Sequence, residues 1–164
     1  VASFAHPTFN LDFFVEHILW NYRNIVAASD SASPLLSFPD LQPTLWSVAA
    51  HAPSAVFQML TRPFLWEPAP LFYKLVGLEN LVLGLLILLT IVHLLRQRHL
   101  PALPSFLAVL LVFFFISAVL ITLPTPNLGS LHRYRAPLLP FFYLLIIAWG
   151  PVPGWLDQLR NRKG

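Results

Sequence analysis

The chain has no cysteine among its 164 residues. That excludes thiol nucleophiles, disulfide scaffolds, iron–sulfur clusters and cysteine-based zinc sites. Charge is nearly as scarce: Asp, Glu, Lys and Arg make up 10% of the residues, against roughly 25% in an ordinary soluble domain. Only 6 residues are glycine, so a flexible low-complexity tail is excluded as well. The histidines His6, His17, His51, His93, His99 and His132 fall in no H-x-x-x-H or H-E-x-x-H spacing, and no metal site is expected. G-x-S-x-G, the Walker loop and G-x-G-x-x-G are all missing, and with them any recognisable catalytic constellation. The net charge is +3, but the basic residues lie in small scattered groups. Without a basic stripe, no nucleic-acid partner is expected.

What is present is hydrophobic: 57% of the chain. A water-soluble domain of this size could not hide so much apolar surface. The composition therefore predicts an all-α integral membrane protein. The first residue is Val, and no basic n-region, short apolar run and cleavage site opens the chain, so no signal peptide is expected.

Composition shifts near residue 67, dividing a more polar segment, 1–66, from an apolar region, 67–164. In the first, Leu11, Phe14, Val15, Ile18, Leu19, Tyr22, Ile25 and Val26 recur at helical spacing, with Asn10 as N-cap candidate. Asp12, Glu16, His17 and Arg23 occupy the other face, which predicts an amphipathic helix. Residues 29–43 read as a Ser/Pro/Asp loop. Two short helices are expected next, Thr44–His51 and Pro53–Leu60, with Pro53 opening the second.

Three apolar stretches follow. Leu78–Leu95 carries a charge only at Glu79, and Phe106–Leu123 carries none. Each rises about 27 Å and, slightly extended, crosses a hydrocarbon core of ~30 Å. The basic, proline-broken loop Arg96–Pro104 makes them an antiparallel hairpin. Pro137–Trp149 is too short alone and needs a kinked continuation through Gly150 and Pro153 to Leu156. A re-entrant or interfacial segment is the alternative. The expected spans are about 72–95, 106–123 and 137–156.

Arg96, Arg98, Arg160, Arg162 and Lys163 would share one side, against Lys74, Arg133 and Arg135 on the other. By the positive-inside rule the first side is cytoplasmic, C-terminus included, and residues 1–66 are periplasmic in a bacterial inner membrane.

Asn127 to Arg135 forms the densest polar cluster. His132, Arg133 and Arg135 sit beside a helix start, where guanidiniums suit a phosphate, a lipid headgroup or a carboxylate. Plain interfacial anchoring, with an ion pair to Glu79 or Glu67, is the simpler reading. Arg62 and Glu67 are placed to pair across a proline-stiffened turn, with Trp66 at the interface. Together with Phe14, Ile18 and Tyr22 of the first helix, Arg62, Trp66 and Glu67 are candidate partner contacts. Glu79 and His93 are the intramembrane polar groups. Fourteen residues, or about 21 Å of helix, separate them, so they cannot share a site. His93 has no second ligand to support haem or pigment binding, and no cofactor is expected.

Three stretches carry a resemblance: Arg62-Pro63-Phe64-Leu65-Trp66-Glu67, then Leu78-Glu79-Asn80, then Asn127-Leu128-Gly129-Ser130-Leu131-His132-Arg133-Tyr134-Arg135-Ala136-Pro137. In order and spacing they resemble the C-terminal part of a poorly characterised family of bacterial polytopic membrane proteins associated with envelope polysaccharide and glycan assembly. The resemblance covers about residues 45–150. It implies further spans and a reaction centre upstream of the matching part. Two functions are then expected. One is a non-catalytic membrane subunit that packs against a larger inner-membrane complex, its outer segment contacting a partner. The other is the terminal part of a glycan-assembly protein, with Arg133 and Arg135 on an anionic lipid-linked substrate.

Overall fold

A computed structural model describes residues 11–29, 34–68, 70–97, 104–151, 154 and 161. The described residues form six helices and no strand: α1 Leu11–Ala28, α2 Leu45–Thr61, α3 Leu71–Arg96, α4 Ser105–Thr122, α5 Leu128–Arg135 and α6 Leu139–Trp149. The all-helical class read from the sequence is the one observed. Asn10, residues 30–33, most of the Arg96–Pro104 loop and most of the expected continuation beyond Pro151 lie outside the described residues.

Several helix ends have a local reason. Thr44 caps α2 by accepting a hydrogen bond from Ser47 N at 3.1 Å. Asn127 caps α5 by accepting from Gly129 N and Ser130 N. Proline at positions 70 and 104 precedes α3 and α4. Helix α6 ends at Gly150, directly before Pro151, because the residue before a proline is pushed out of the helical region.

Residues 45–61 differ from the expectation of two short helices. They form one helix, with Pro53 in its interior. Pro53 removes one N–H donor, yet both ends are capped, and Ala55, Val56 and Met59 beyond it are buried. That burial outweighs a single lost hydrogen bond.

Val15, Ile18 and Leu19 turn the inner face of α1 onto the rest of the chain. The main core joins Ile18 and Leu19 to Leu36 and Phe38 of the connecting segment, Met59 of α2, Phe114 and Ala118 of α4, and Leu131 of α5. A bridge between Leu35 and Asn127, with Leu36 N donating to Pro126 O at 2.7 Å, ties that segment to the start of α5. A smaller cluster of Leu83, Leu139 and Ile146 joins α3 to α6, with Leu60 of α2 packed against it. Phe114 and Phe142 stack at 4.5 Å between α4 and α6.

Helices α3 and α4 are long and apolar enough to cross a membrane; α6, with 11 residues, is a shorter apolar helix. Only 28% of the apolar window of α3 and 22% of that of α4 is buried inside the protein.

Candidate functional site

The polar centre of the protein is Arg135, the last residue of α5. Its relative exposure is 1%, although it carries a full positive charge. A lone cation in such a place would cost several kcal/mol or more. Its hydrogen bonds explain how it is held. Nη1 donates to Met59 O at 2.7 Å and to Arg62 O at 3.3 Å, and Nη2 donates to Asn80 Oδ1 at 2.8 Å. Asn80, buried on α3, donates from Nδ2 to Thr61 O at 3.3 Å and Pro63 O at 3.1 Å.

All four of these carbonyls lie at or just past the C-terminus of α2. A helix end leaves its last carbonyls without partners inside the helix and carries partial negative charge. Arg135 and Asn80 together serve as a cap contributed by two other helices. The guanidinium gains neutral acceptors and a favourable dipole, and the carbonyls gain donors. Among the described residues, the Arg135 Nε meets no hydrogen-bond partner.

His132 lies one turn earlier on α5, with Nδ1 3.2 Å from Arg135 Nη2. Burial lowers the imidazole pKa, the neighbouring Arg135 charge lowers it further, and Glu79 acts in the opposite sense. A neutral ring with a free Nδ1 lone pair can accept from Arg135. Burial likewise pushes the Arg135 guanidinium below its ordinary value, against the influence of Glu79. Glu79 itself is exposed on α3, next to Asn80.

Arg62 and Glu67 form the pair suggested by the sequence. Nε and Nη2 of Arg62 donate to the two carboxylate oxygens at 2.8 and 3.1 Å, and Nη1 donates to Leu35 O at 3.0 Å. Such a fork holds the 62–67 turn in one shape. Trp66 stacks on Phe64 at 4.9 Å and is 76% exposed.

The remaining candidates are distributed as follows. Arg133 is exposed while Arg135 is buried. Two residues apart on one helix, they point to different sides and do not converge on one ligand. In α1, Phe14 is exposed, Ile18 is buried in the core, and the Tyr22 hydroxyl accepts from Phe38 N at 3.2 Å. His93 lies near the far end of α3, its Nε2 2.8 Å from Gln97 Nε2. Among the described residues no three His, Asp or Glu side chains are grouped to hold a metal ion.

The clamp therefore joins pieces of all three sequence stretches singled out above. Asn80 and the α2 carbonyls are the members that the candidate site lacked. Asn80 is visible in sequence only as a polar residue inside an apolar run, and the backbone carbonyls carry no sequence signal. Beside the clamp, an apolar groove of about 320 Å³ runs between Phe64–Trp66 and the Gly77–Leu88 face of α3. A wider depression of about 560 Å³ lies away from it on α1, beside the stacked rings of Phe13, His17 and Trp20. Compared with known protein families, with curated proteins and with solved structures, the chain matches none.

Proposed function

We propose that this chain is a non-catalytic, multi-pass subunit that packs in a bacterial inner membrane against a larger complex. The observation that carries the reading is the outward surface of α3 and α4. Leu81, Val82, Leu85, Leu88, Val109, Val112 and Ile116 are each half exposed or more. In water such a surface would drive association. In a bilayer it faces lipid or a neighbouring span at no such cost. The clamp supports the same reading, because its guanidinium is turned inward onto the chain's own carbonyls. On this reading residues 137–156 make a third crossing, the C-terminus is cytoplasmic, and the segment 1–66 belongs to the periplasmic side of the membrane.

A second reading has its own support. The three stretches that resemble a glycan-assembly family meet at one place, and Arg133 remains exposed there. On that reading the chain is part of an envelope-polysaccharide protein and Arg133 meets an anionic lipid-linked substrate.

The test is membrane extraction followed by native mass measurement. The chain should resist alkaline carbonate and, in mild detergent, migrate with stoichiometric partner chains. Release by carbonate would reject the membrane reading. A carbonate-resistant chain that migrates alone would reject the subunit reading. Retention of a polyprenyl-phosphate glycan, lost in Arg133→Ala, would favour the second.

A further inference from the structure

We propose that α2 and its return segment, residues 45–68, form a hairpin that dips into the hydrocarbon layer from the periplasmic side, with the outward face of the deeper half of α2 in contact with lipid acyl chains. The inference rests on the membrane reading above and adds a depth to it.

Depth can be read from the apolar helices. A core of ~30 Å counted up α3 from Leu95 takes about 20 residues and reaches Val76. The return segment pairs with α3 below that level. The Leu65 backbone lies beside Gly77, where an added Cβ would meet Leu65 N and Cα at 3.0 Å. Pro63 O and Thr61 O accept from Asn80. Leu60 packs against the cluster that contains Leu83. From Leu65 back to Leu60 the chain thus descends as α3 descends from Gly77 to Leu83. Leu83 lies seven residues, or about 10 Å, inside the boundary.

Helix α4 gives the same answer independently. A groove between α2 and α4 is lined by Pro53, Val56, Phe57 and Leu60 on one side and by Phe115 and Val119 on the other. Phe115 lies ten residues, about 15 Å, above Ser105 in a helix that rises about 27 Å. Helix α2 is thus packed on the middle of α4.

The chemistry of α2 fits that depth. Residues 45–61 contain no Asp, Glu, Lys or Arg. The outward positions Trp46, Ala49, Pro53 and Phe57 are exposed, Trp46 at 84% and Phe57 at 59%. The polar side chains have partners: His51 with Pro39 O and Ser47 O, and Gln58 with Ser54 Oγ. Non-helical backbone at membrane depth must be satisfied by protein. The hairpin tip meets that demand through Arg135 and Asn80, which bind Met59, Thr61, Arg62 and Pro63 carbonyls. The occupant of the outer α2 face is fixed by its surroundings: at this depth beside α4 the medium is acyl chain.

The chain has no cysteine, so single-site labelling needs no background removal. Spin labels at Phe57→Cys and Ser54→Cys, in phosphatidylcholine/phosphatidylglycerol vesicles, are compared with Val112→Cys on α4 and Gln42→Cys in the loop before α2. All four positions are exposed, so labelling leaves the core intact. Oxygen enters hydrocarbon and a polar nickel chelate does not. The oxygen-to-nickel collision ratio at residue 57 should match that at residue 112 and exceed that at residue 42 on the order of tenfold, the partition of a polar solute against an apolar one. Residues 54 and 57 matching residue 42, with residue 112 in lipid, would overturn the hairpin alone. Residue 112 matching residue 42 would overturn the membrane reading and the hairpin with it.

Discussion

At the scale of single residues, the central contact is made by an arginine turned onto the chain's own carbonyls. Arg135 spans Met59 O and Asn80 Oδ1 at once, which needs the planar fork of a guanidinium. A lysine keeps the charge but cannot reach both acceptors. Arg135→Lys should therefore lower stability by about 2–4 kcal/mol, the cost of leaving buried polar groups unpaired. Arg133→Lys, on the exposed side, should change it by less than about 0.5 kcal/mol. Thermal unfolding in detergent checks both, and equal losses would refute the clamp. His132 adds a pH dependence. Its folded pKa lies below the ordinary imidazole value of about 6.5. Above that value the ring is neutral in both states and its contribution to stability is complete. As pH falls below it, the unfolded chain takes up a proton that the folded chain resists, and stability drops until the lower folded pKa is passed. The melting temperature should fall between pH 7 and pH 5 by more in the parent than in His132→Gln. Identical slopes would show that His132 is not the group responsible.

At the scale of elements, two glycines of α3 make opposite predictions. Gly77 lets the return segment touch the helix, since a Cβ there would press on Leu65 backbone at 3.0 Å. Backbone on both sides leaves little room to yield, so Gly77→Ala should destabilise by about 1–3 kcal/mol. Gly84 has open space at the same position. Gly84→Ala should be neutral or stabilise by up to about 1 kcal/mol, because alanine is the better helix former. Unfolding midpoints of the two variants should move in opposite directions, or at least differ clearly. A shared small loss would mean that the 62–67 turn does not pack on α3 as described. The Arg62–Glu67 fork belongs to the same element and explains why that turn can hold its place against a helix.

At the scale of the whole molecule, the orientation proposed for α3 and α4 rests on the Lys and Arg distribution. Single cysteines at Gln97 and Asn161 should both be shielded in intact cells from an impermeant maleimide, while one at Arg133 should react. Reaction at Asn161 with protection at Gln97 would leave only two crossings. Architecture and site were legible to different degrees. The amphipathic run from Leu11, the span expected over about 72–95 and the apolar run Phe106–Leu123 locate α1, α3 and α4 within a few residues. Helix α2 was harder, because Pro53 is a local breaker and only burial of Ala55, Val56 and Met59 overrides it. The Arg62–Glu67 pair was legible because it is five residues apart in one turn. The Arg135–Met59 contact, 76 residues apart, was not.

What the residues alone determined is their hydrophobic content and its period: a helical chain with two runs long enough to cross a bilayer. Those are local properties, set by side-chain type and spacing. Which of two neighbouring arginines is buried was decided by the fold. Arg133 and Arg135 are the same residue type on the same short helix, yet the placement of α5 against α4 leaves one outward and brings the other onto helix-end carbonyls. A buried cation persists only where distant backbone and an amide converge to accept its protons, and such convergence exists only after the chain has folded.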